Sequence, residues 1–193
     1  MVNINYPTLD SNTLDSIKQQ LKEKHQRLQY GTNNNWDFDS LVQNQNGARL
    51  VGQICLHEIN NFRNSQQDIS YLIFFNRGTS PVTGAIMLSS ALCEKTGLQY
   101  AIAYLNRQSQ TIERVKWGRL CNASGDLDGD GILLTDNITE EKSIKSASEA
   151  VATRRGKVKL VLAYSSPPDL EQKLREDLSK KGTELKVLFN DKR

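Results

Sequence analysis

Cysteine is scarce in this chain: Cys55, Cys93 and Cys121 are its only three. An odd number, with no two close in sequence, gives neither a disulfide framework nor the ligand spacing of a zinc site. Cys55 and Cys93 fall among apolar residues at helical spacing, where a thiol packs as a small hydrophobe. The 2 histidines are as uninformative about metals. His25 lies on a charged helix and His57 on a core helix, neither beside a cysteine or paired carboxylates, so both read as surface or helix-flank residues. No apolar run reaches the ~18 residues of a membrane span and no leader pattern opens the chain, so a soluble, reducing compartment, the cytoplasm, is expected. Charge of one sign is also lacking. With 25 Lys and Arg against 22 Asp and Glu, the net +3 gives no basic face for nucleic acid, and Asp191-Lys192-Arg193 reads as a solvated end. Gly-x-Gly-x-x-Gly, Walker A and nucleophile-elbow patterns are missing, as are internal repeats.

What is present is an α/β alternation over 193 residues, 37% of them hydrophobic, which suits a single domain with a real core. After an irregular arm holding Pro7, Ser11 or Asn12 caps a helix to about Gln29, with Leu14, Ile17, Leu21 and Leu28 on one stripe. Trp36 to Asp39 alternates as a short strand should. A second helix from about Asn46 turns Leu50, Val51, Ile54, Ile59 and Phe62 inward. Tyr71 to Phe75 is then apolar without alternation, the pattern of a strand covered on both faces. Leu98–Leu105, Ile132–Thr135, Val158–Tyr164 and Leu185–Phe189 read as further strands. Between them fall helices over Ala85–Lys95, closed by Gly97, over Ser143–Arg155 and from Pro168. A mostly parallel, doubly wound sheet follows. Its ligands belong beyond the strand C-termini, where strand order switches, which singles out the loops 76–84, 106–118 and 136–143.

The third of these loops carries the most chemistry. An apolar strand, Ile132-Leu133-Leu134-Thr135, ends in Asp136-Asn137, and a short turn, Ile138-Thr139-Glu140-Glu141-Lys142, leads into a helix at Ser143. Such a turn sets an acidic side chain at a ligand crevice and helix N–H groups toward an anion. The segment resembles the phosphoribosyl-diphosphate motif of type I phosphoribosyltransferases: four apolar residues, two acidic ones, then a Thr-Thr-Gly-type turn ending in Ser or Thr. Other stretches resemble the orotate branch of that family in the same order. Trp36 to Ser40 and Asn46 to Gly52 are similar to its early strand and first core helix. Ser80-Pro81-Val82-Thr83-Gly84-Ala85 is similar to its diphosphate loop, with Val82 where an acidic residue is common and Ala85 for a glycine. Leu92 to Leu98 and Gly125-Asp126-Leu127 also match.

The resemblance implies a phosphoribosyltransferase-like fold, with residues 1–40 as arm, helix and hood strand and 41–193 as core. It implies that Asp136 and Asn137 face ribose hydroxyls, that Thr83 and Gly84 face a diphosphate, and that Thr139, Lys142 and Ser143 line a 5′-phosphate cradle. Lys116, beside Trp117-Gly118, is its closest match to a catalytic lysine. The alternation of Ile112, Arg114 and Lys116 favours an ordinary strand there instead. Magnesium would act with the diphosphate if the chain is active, and a homodimer is implied.

Departures from the pattern set the functional expectation. Asn137 replaces the second acid, and Glu140 and Glu141 occupy the phosphate turn. Each carboxylate at ~4 Å from a phosphate charge costs ~1 kcal/mol in water and more when partly desolvated. The same glutamates suit a helix start, where the dipole favours them. The segment before the hood strand, Tyr30 to Asn35, lacks the Lys and Arg that grip the base. Three readings follow: a phosphoribosyltransferase-like protein with reduced or lost transfer, binding a small phosphorylated or nucleotide-like ligand; an active orotate-type enzyme; or an interaction subunit using Trp117. Asp126 to Gly131 also resembles the start of a calcium loop, but position twelve is Asn137 where a bidentate Glu is required, so a polar turn is expected.

Overall fold

A computed structural model describes residues 6–28, 41–42, 45–65, 68–76, 84–106, 111–117, 127, 129–138 and 140–190. Its elements in chain order are α1 (Ser11–Leu28), α2 (Gln45–Ser65), β1 (Ile69–Asn76), α3 (Gly84–Thr96), β2 (Gln99–Asn106), β3 (Thr111–Trp117), β4 (Gly129–Asn137), α4 (Glu141–Ala152), β5 (Gly156–Ser166), α5 (Pro168–Ser179) and β6 (Glu184–Asn190). The strand expected at Trp36–Asp39 lies outside the described residues.

The strands form one sheet in the order β3-β2-β1-β4-β5-β6. All neighbouring pairs are parallel except β2 with β3, which is antiparallel and closes one edge. From β1 the chain winds outward to β2, then returns to the other side of β1 and winds outward again through β4, β5 and β6. Right-handed crossovers in opposite directions place their helices on opposite faces. Two cores result. Leu72, Phe74, Ile132, Leu134, Leu160 and Leu162 pack with Leu50, Val51, Ile54 and Ile59 of α2 and Leu92 of α3. Tyr71, Ile73, Leu133, Val161 and Ala163 pack with Ile144, Ala147 and Val151 of α4 and Leu174 and Leu178 of α5. Alternate residues of β1 and β4 therefore serve both cores, which is why these strands are apolar throughout.

The start of α1 differs from expectation. Asp10, not Ser11 or Asn12, caps it: Thr13 donates its N–H to Asp10 Oδ1 at 2.9 Å and its hydroxyl to Oδ2 at 2.7 Å. These two bonds hold the Asp10 carboxyl below its ordinary pKa, as a cap does. Cys55 is buried and Cys93 half-buried, and burial pushes both thiols up to about 12. His57 corrects another expectation: it is buried, only 8% exposed, between α2 and the chain's N-terminal segment. The calcium-like sequence is partly strand, with Gly129 to Gly131 opening β4.

The opening of β4 is fixed by Tyr71. Its ring lies so close to Gly131 that a Cβ there would stand 2.0 Å from a ring carbon. Its hydroxyl donates to Gly129 O at 2.9 Å and accepts the Lys157 N–H at 3.0 Å. Burial raises the phenol to about 12, so it stays protonated and keeps donating.

Candidate functional site

The winding of the sheet reverses between β1 and β4, so the crevice of this fold lies beyond Asn76 and Asn137, the last residues of those strands. Of the residues singled out by sequence, Asp136 and Asn137 end β4, and Lys142 and Ser143 fall in the first turn of α4. Gly84 is the first residue of α3, the helix that follows β1. Thr83 and Thr139 lie outside the described residues. The order of these elements brings the two β-to-α turns to one end of the sheet.

Asp136 and Asn137 are half-buried. The Thr135 hydroxyl donates to Asp136 Oδ1 at 3.3 Å. Asn137 is held more firmly: Ser165 Oγ, opposite it on β5, donates to its Oδ1 at 2.6 Å. One residue on, Ile138 donates its N–H to Ser165 O at 2.9 Å. Ser165 thus continues the β4–β5 ladder past the strand end and fixes the direction in which the chain enters the turn. Sequence reasoning missed Ser165, because its link to Asn137 spans 28 positions.

The turn then starts α4 with Glu140 as N-cap, in extended conformation and making no side-chain cap bond. Glu140 is exposed, whereas Ser143 is buried. The two glutamates behave differently. Glu141 forms ion pairs with Lys145 one turn on and, at 2.7 Å, with Lys173 of α5. Lys145 in turn reaches Asp177 of α5 at 2.7 Å. Hydrogen bonds from these lysines hold the Glu141 carboxyl below its ordinary pKa. Of the two carboxylates expected beside a phosphate, Glu141 is engaged in joining α4 to α5, and Glu140 remains at the helix start.

The structure does not bring Lys116 to this end. It lies in β3, paired with Ile102, and the strand runs antiparallel. Ile102 stands four residues before the end of β2, or about 13 Å at ~3.3 Å per residue. Trp117 pairs with Ala101, farther still from the crevice. The strand suggested by alternation at Ile112, Arg114 and Lys116 is therefore present.

On the α2 face beneath Asp136 is a narrow cavity of about 20 Å³ among Cys55, Phe74, Leu134, Leu162 and Tyr164. That is room for about one water. Among the described residues no group of three or more His, Cys, Asp or Glu side chains gathers where a metal ion could be held. No helix among them is long and apolar enough to cross a membrane.

This arrangement, a sheet with an acidic strand end and a helix N-terminus at its switch point, defines a doubly wound α/β protein whose crevice lies beyond the strand C-termini. No family model matches the sequence, and no curated protein sequence matches it. Solved structures do. Adenine phosphoribosyltransferase from Saccharomyces cerevisiae superposes with a TM-score of 0.65 at 14% identity, over 91% of this chain and 99% of that one. Orotate phosphoribosyltransferase from Mycobacterium tuberculosis H37Rv, in complex with inorganic phosphate, gives 0.62 at 14%, over 90% and 88%. The same enzyme in complex with 5-phospho-α-D-ribosyl 1-diphosphate gives 0.57 at 14%, over 91% and 89%. The chain has the phosphoribosyltransferase-like α/β fold, and identities this low show the fold alone.

Proposed function

We propose that this chain is a phosphoribosyltransferase-like protein of the orotate type with transfer chemistry reduced or lost. It binds a small phosphorylated or nucleotide-like ligand in the crevice between β1 and β4. The observation that carries this reading is the Ser165–Asn137 hydrogen bond at 2.6 Å. The second position of the acidic pair is an amide, and its acceptor oxygen already accepts a hydrogen bond from the Ser165 hydroxyl. Asp136 is then the one carboxylate the strand end contributes, so ribose hydroxyls meet one charge-assisted acceptor instead of two. Glu140 at the helix start adds a repulsion of ~1 kcal/mol or more to a phosphate at ~4 Å.

The donor set fits magnesium arriving with a ligand rather than residing in the protein. Magnesium keeps several waters and is held through one or two carboxylates plus substrate phosphates, and Asp136 is the carboxylate at hand. When bound it would neutralise charge on a diphosphate. Asp136 would hold a ribose hydroxyl, Asn137 would orient the sugar, Lys142 with Ser143 and the first turn of α4 would receive the 5′-phosphate, and Thr83 with Gly84 would hold the diphosphate. A homodimer is proposed with this reading.

An active orotate-type transferase is favoured by one observation. Glu141 is paired with Lys145 and Lys173, which removes one of the two repulsions that the sequence places at the phosphate. Calorimetry with phosphoribosyl diphosphate and magnesium, run beside an assay for nucleotide product, separates the readings. Micromolar binding without turnover is expected. Turnover that Asp136→Ala abolishes would establish the active enzyme, and absence of binding to phosphoribosyl diphosphate, nucleoside monophosphates and inorganic phosphate would overturn the ligand site.

A further inference from the structure

The N-terminal segment Tyr6 to Leu9 is bound by side chains of α2 that read its main chain. Asn64 Oδ1 accepts the Tyr6 N–H at 2.8 Å, and Asn64 Nδ2 donates to Tyr6 O at 3.1 Å. Asn60 Nδ2 donates to Pro7 O at 2.7 Å, and His57 Nδ1 accepts the Leu9 N–H at 2.9 Å. His57, Asn60 and Asn64 recur at helical spacing and so share one face of α2. Arg63 adds a clamp. Its guanidinium lies 3.6 Å from the centre of the Tyr6 ring, donates to the Tyr6 hydroxyl at 2.7 Å, and donates to Thr96 O at the end of α3 at 2.9 Å.

We propose that Tyr6–Leu9 is a strap docked on the outer face of α2 by neutral His57, and that protonation of His57 undocks it. The chemistry is local. Nδ1 can accept the Leu9 N–H only while it keeps its lone pair, and an imidazolium presents donors at both nitrogens. The neutral ring with Nδ1 as acceptor carries its proton on Nε2, which lies 2.8 Å from the Asn61 side-chain amide. A half-turn of that amide, neutral in shape, gives Nε2–H an oxygen. Protonation therefore sets two donors, Leu9 N–H and Nδ1–H, against each other in a site where His57 is 8% exposed.

The surroundings support the neutral form. Burial is the main influence, and it lowers the His57 pKa; Glu58 beside it on α2 opposes this, while Lys186 on β6 and Lys18 on α1 reinforce it. Glu58 is itself paired with Lys186, which limits its pull on the imidazole. Because the docked state has the lower pKa, docking is complete above the ordinary value of 6.5. It is lost as pH falls through the lowered value.

The test uses the full chain. Protection of the Leu9 and Tyr6 amides against hydrogen exchange is followed from pH 7.5 to 5, corrected for intrinsic rates and referred to Leu133 in β4. Protection at Leu9 is expected to fall at least tenfold while Leu133 keeps its own. His57→Gln offers an amide oxygen to Leu9 without a titrating ring, and is expected to remove the pH dependence. Asn60→Ala is expected to lower protection at every pH and leave the midpoint in place. Leu9 protection that is unchanged across this range in the unaltered chain would overturn the strap. So would His57→Gln retaining the full pH dependence.

Discussion

The two ends of β4 are written in similar residues and do different work. At its start, Asp130 stands between Gly129 and Gly131 and pairs with Lys159 of β5 at 3.5 Å. At its finish, Asp136 and Asn137 lead into a turn and the first turn of α4. The difference lies in the neighbours. The buried Tyr71 ring covers Gly131 and reaches Gly156, where a Cβ would stand 2.3 Å from its hydroxyl oxygen. That end is closed by packing, and Gly131 and Gly156 leave room for the ring. The far end has a helix N-terminus in place of a ring, and its polar side chains are tied sideways, Asn137 to Ser165 and Asp136 to Thr135. Asp130 sits among glycines at a packed end and is paired with Lys159, whereas Asp136, with no glycine beside it, is a candidate ligand contact.

The sharpest way to break this comparison is Gly131→Ala. The new methyl meets the Tyr71 ring at 2.0 Å, and a buried ring between two strands has little room to yield. A loss of about 3 kcal/mol in urea unfolding is expected, at the upper end for overpacking. A loss below ~1 kcal/mol would mean that Tyr71 swings aside and that the start of β4 is not closed as described. Tyr71→Phe should come next, at about 2 kcal/mol, because it keeps the ring and leaves Gly129 O and the Lys157 N–H without their partner. Neither change should alter ligand affinity at the far end beyond the loss of folded protein.

What the sequence made legible follows from this contrast. Tyr71-Leu72-Ile73-Phe74 and Ile132-Leu133-Leu134 announced themselves because each strand feeds two cores, and an uninterrupted apolar run records burial on both faces. The position of Asp136 at a strand end followed from the same run. Interactions between distant residues left no such trace. The bond from Leu9 to His57 spans 48 positions, so His57 reads as a helix-flank residue until the strap is seen against it. Asn137 is paired by Ser165 on another strand, and Glu141 by Lys173 on another helix. A local pattern gives residue type and periodicity, whereas partners of this kind are set by the winding of the sheet. Even the short-range cap by Asp10 escaped, because Ser11 and Asn12 are equally good caps and the choice rests on where the chain turns extended.

At the crevice, Asn137→Asp sharpens the comparison by restoring the charge that the strand end lacks. One carboxylate oxygen can keep the Ser165 proton while the other accepts a ribose hydroxyl. A charged acceptor exceeds a neutral one by about 1 kcal/mol, so affinity for phosphoribosyl diphosphate with magnesium should rise roughly fivefold. Without magnesium the gain should vanish, because Asp136 and the new carboxylate then repel each other. Unchanged affinity in calorimetry would show that position 137 does not face the ligand.

The smallest effect is expected at Glu141, and it separates the two glutamates of the turn. Lys145 and Lys173 hold its carboxyl below the ordinary 4.5. A carboxylate with a lowered folded pKa contributes stability that is present above the unfolded value and lost as pH falls through the folded one. The melting temperature of the unaltered chain should therefore decline below about pH 4.5, and Glu141→Gln should flatten part of that decline. The shift should be slight, since exposed pairs are screened and contribute little. The same variant tests the geometry of the cradle. If Glu141 is spent on joining α4 to α5, its neutralisation should change phosphate affinity less than twofold, while Glu140→Gln at the helix start should improve it. The reverse order would place Glu141 beside the anion after all, and the repulsion that argues for reduced transfer would return in full.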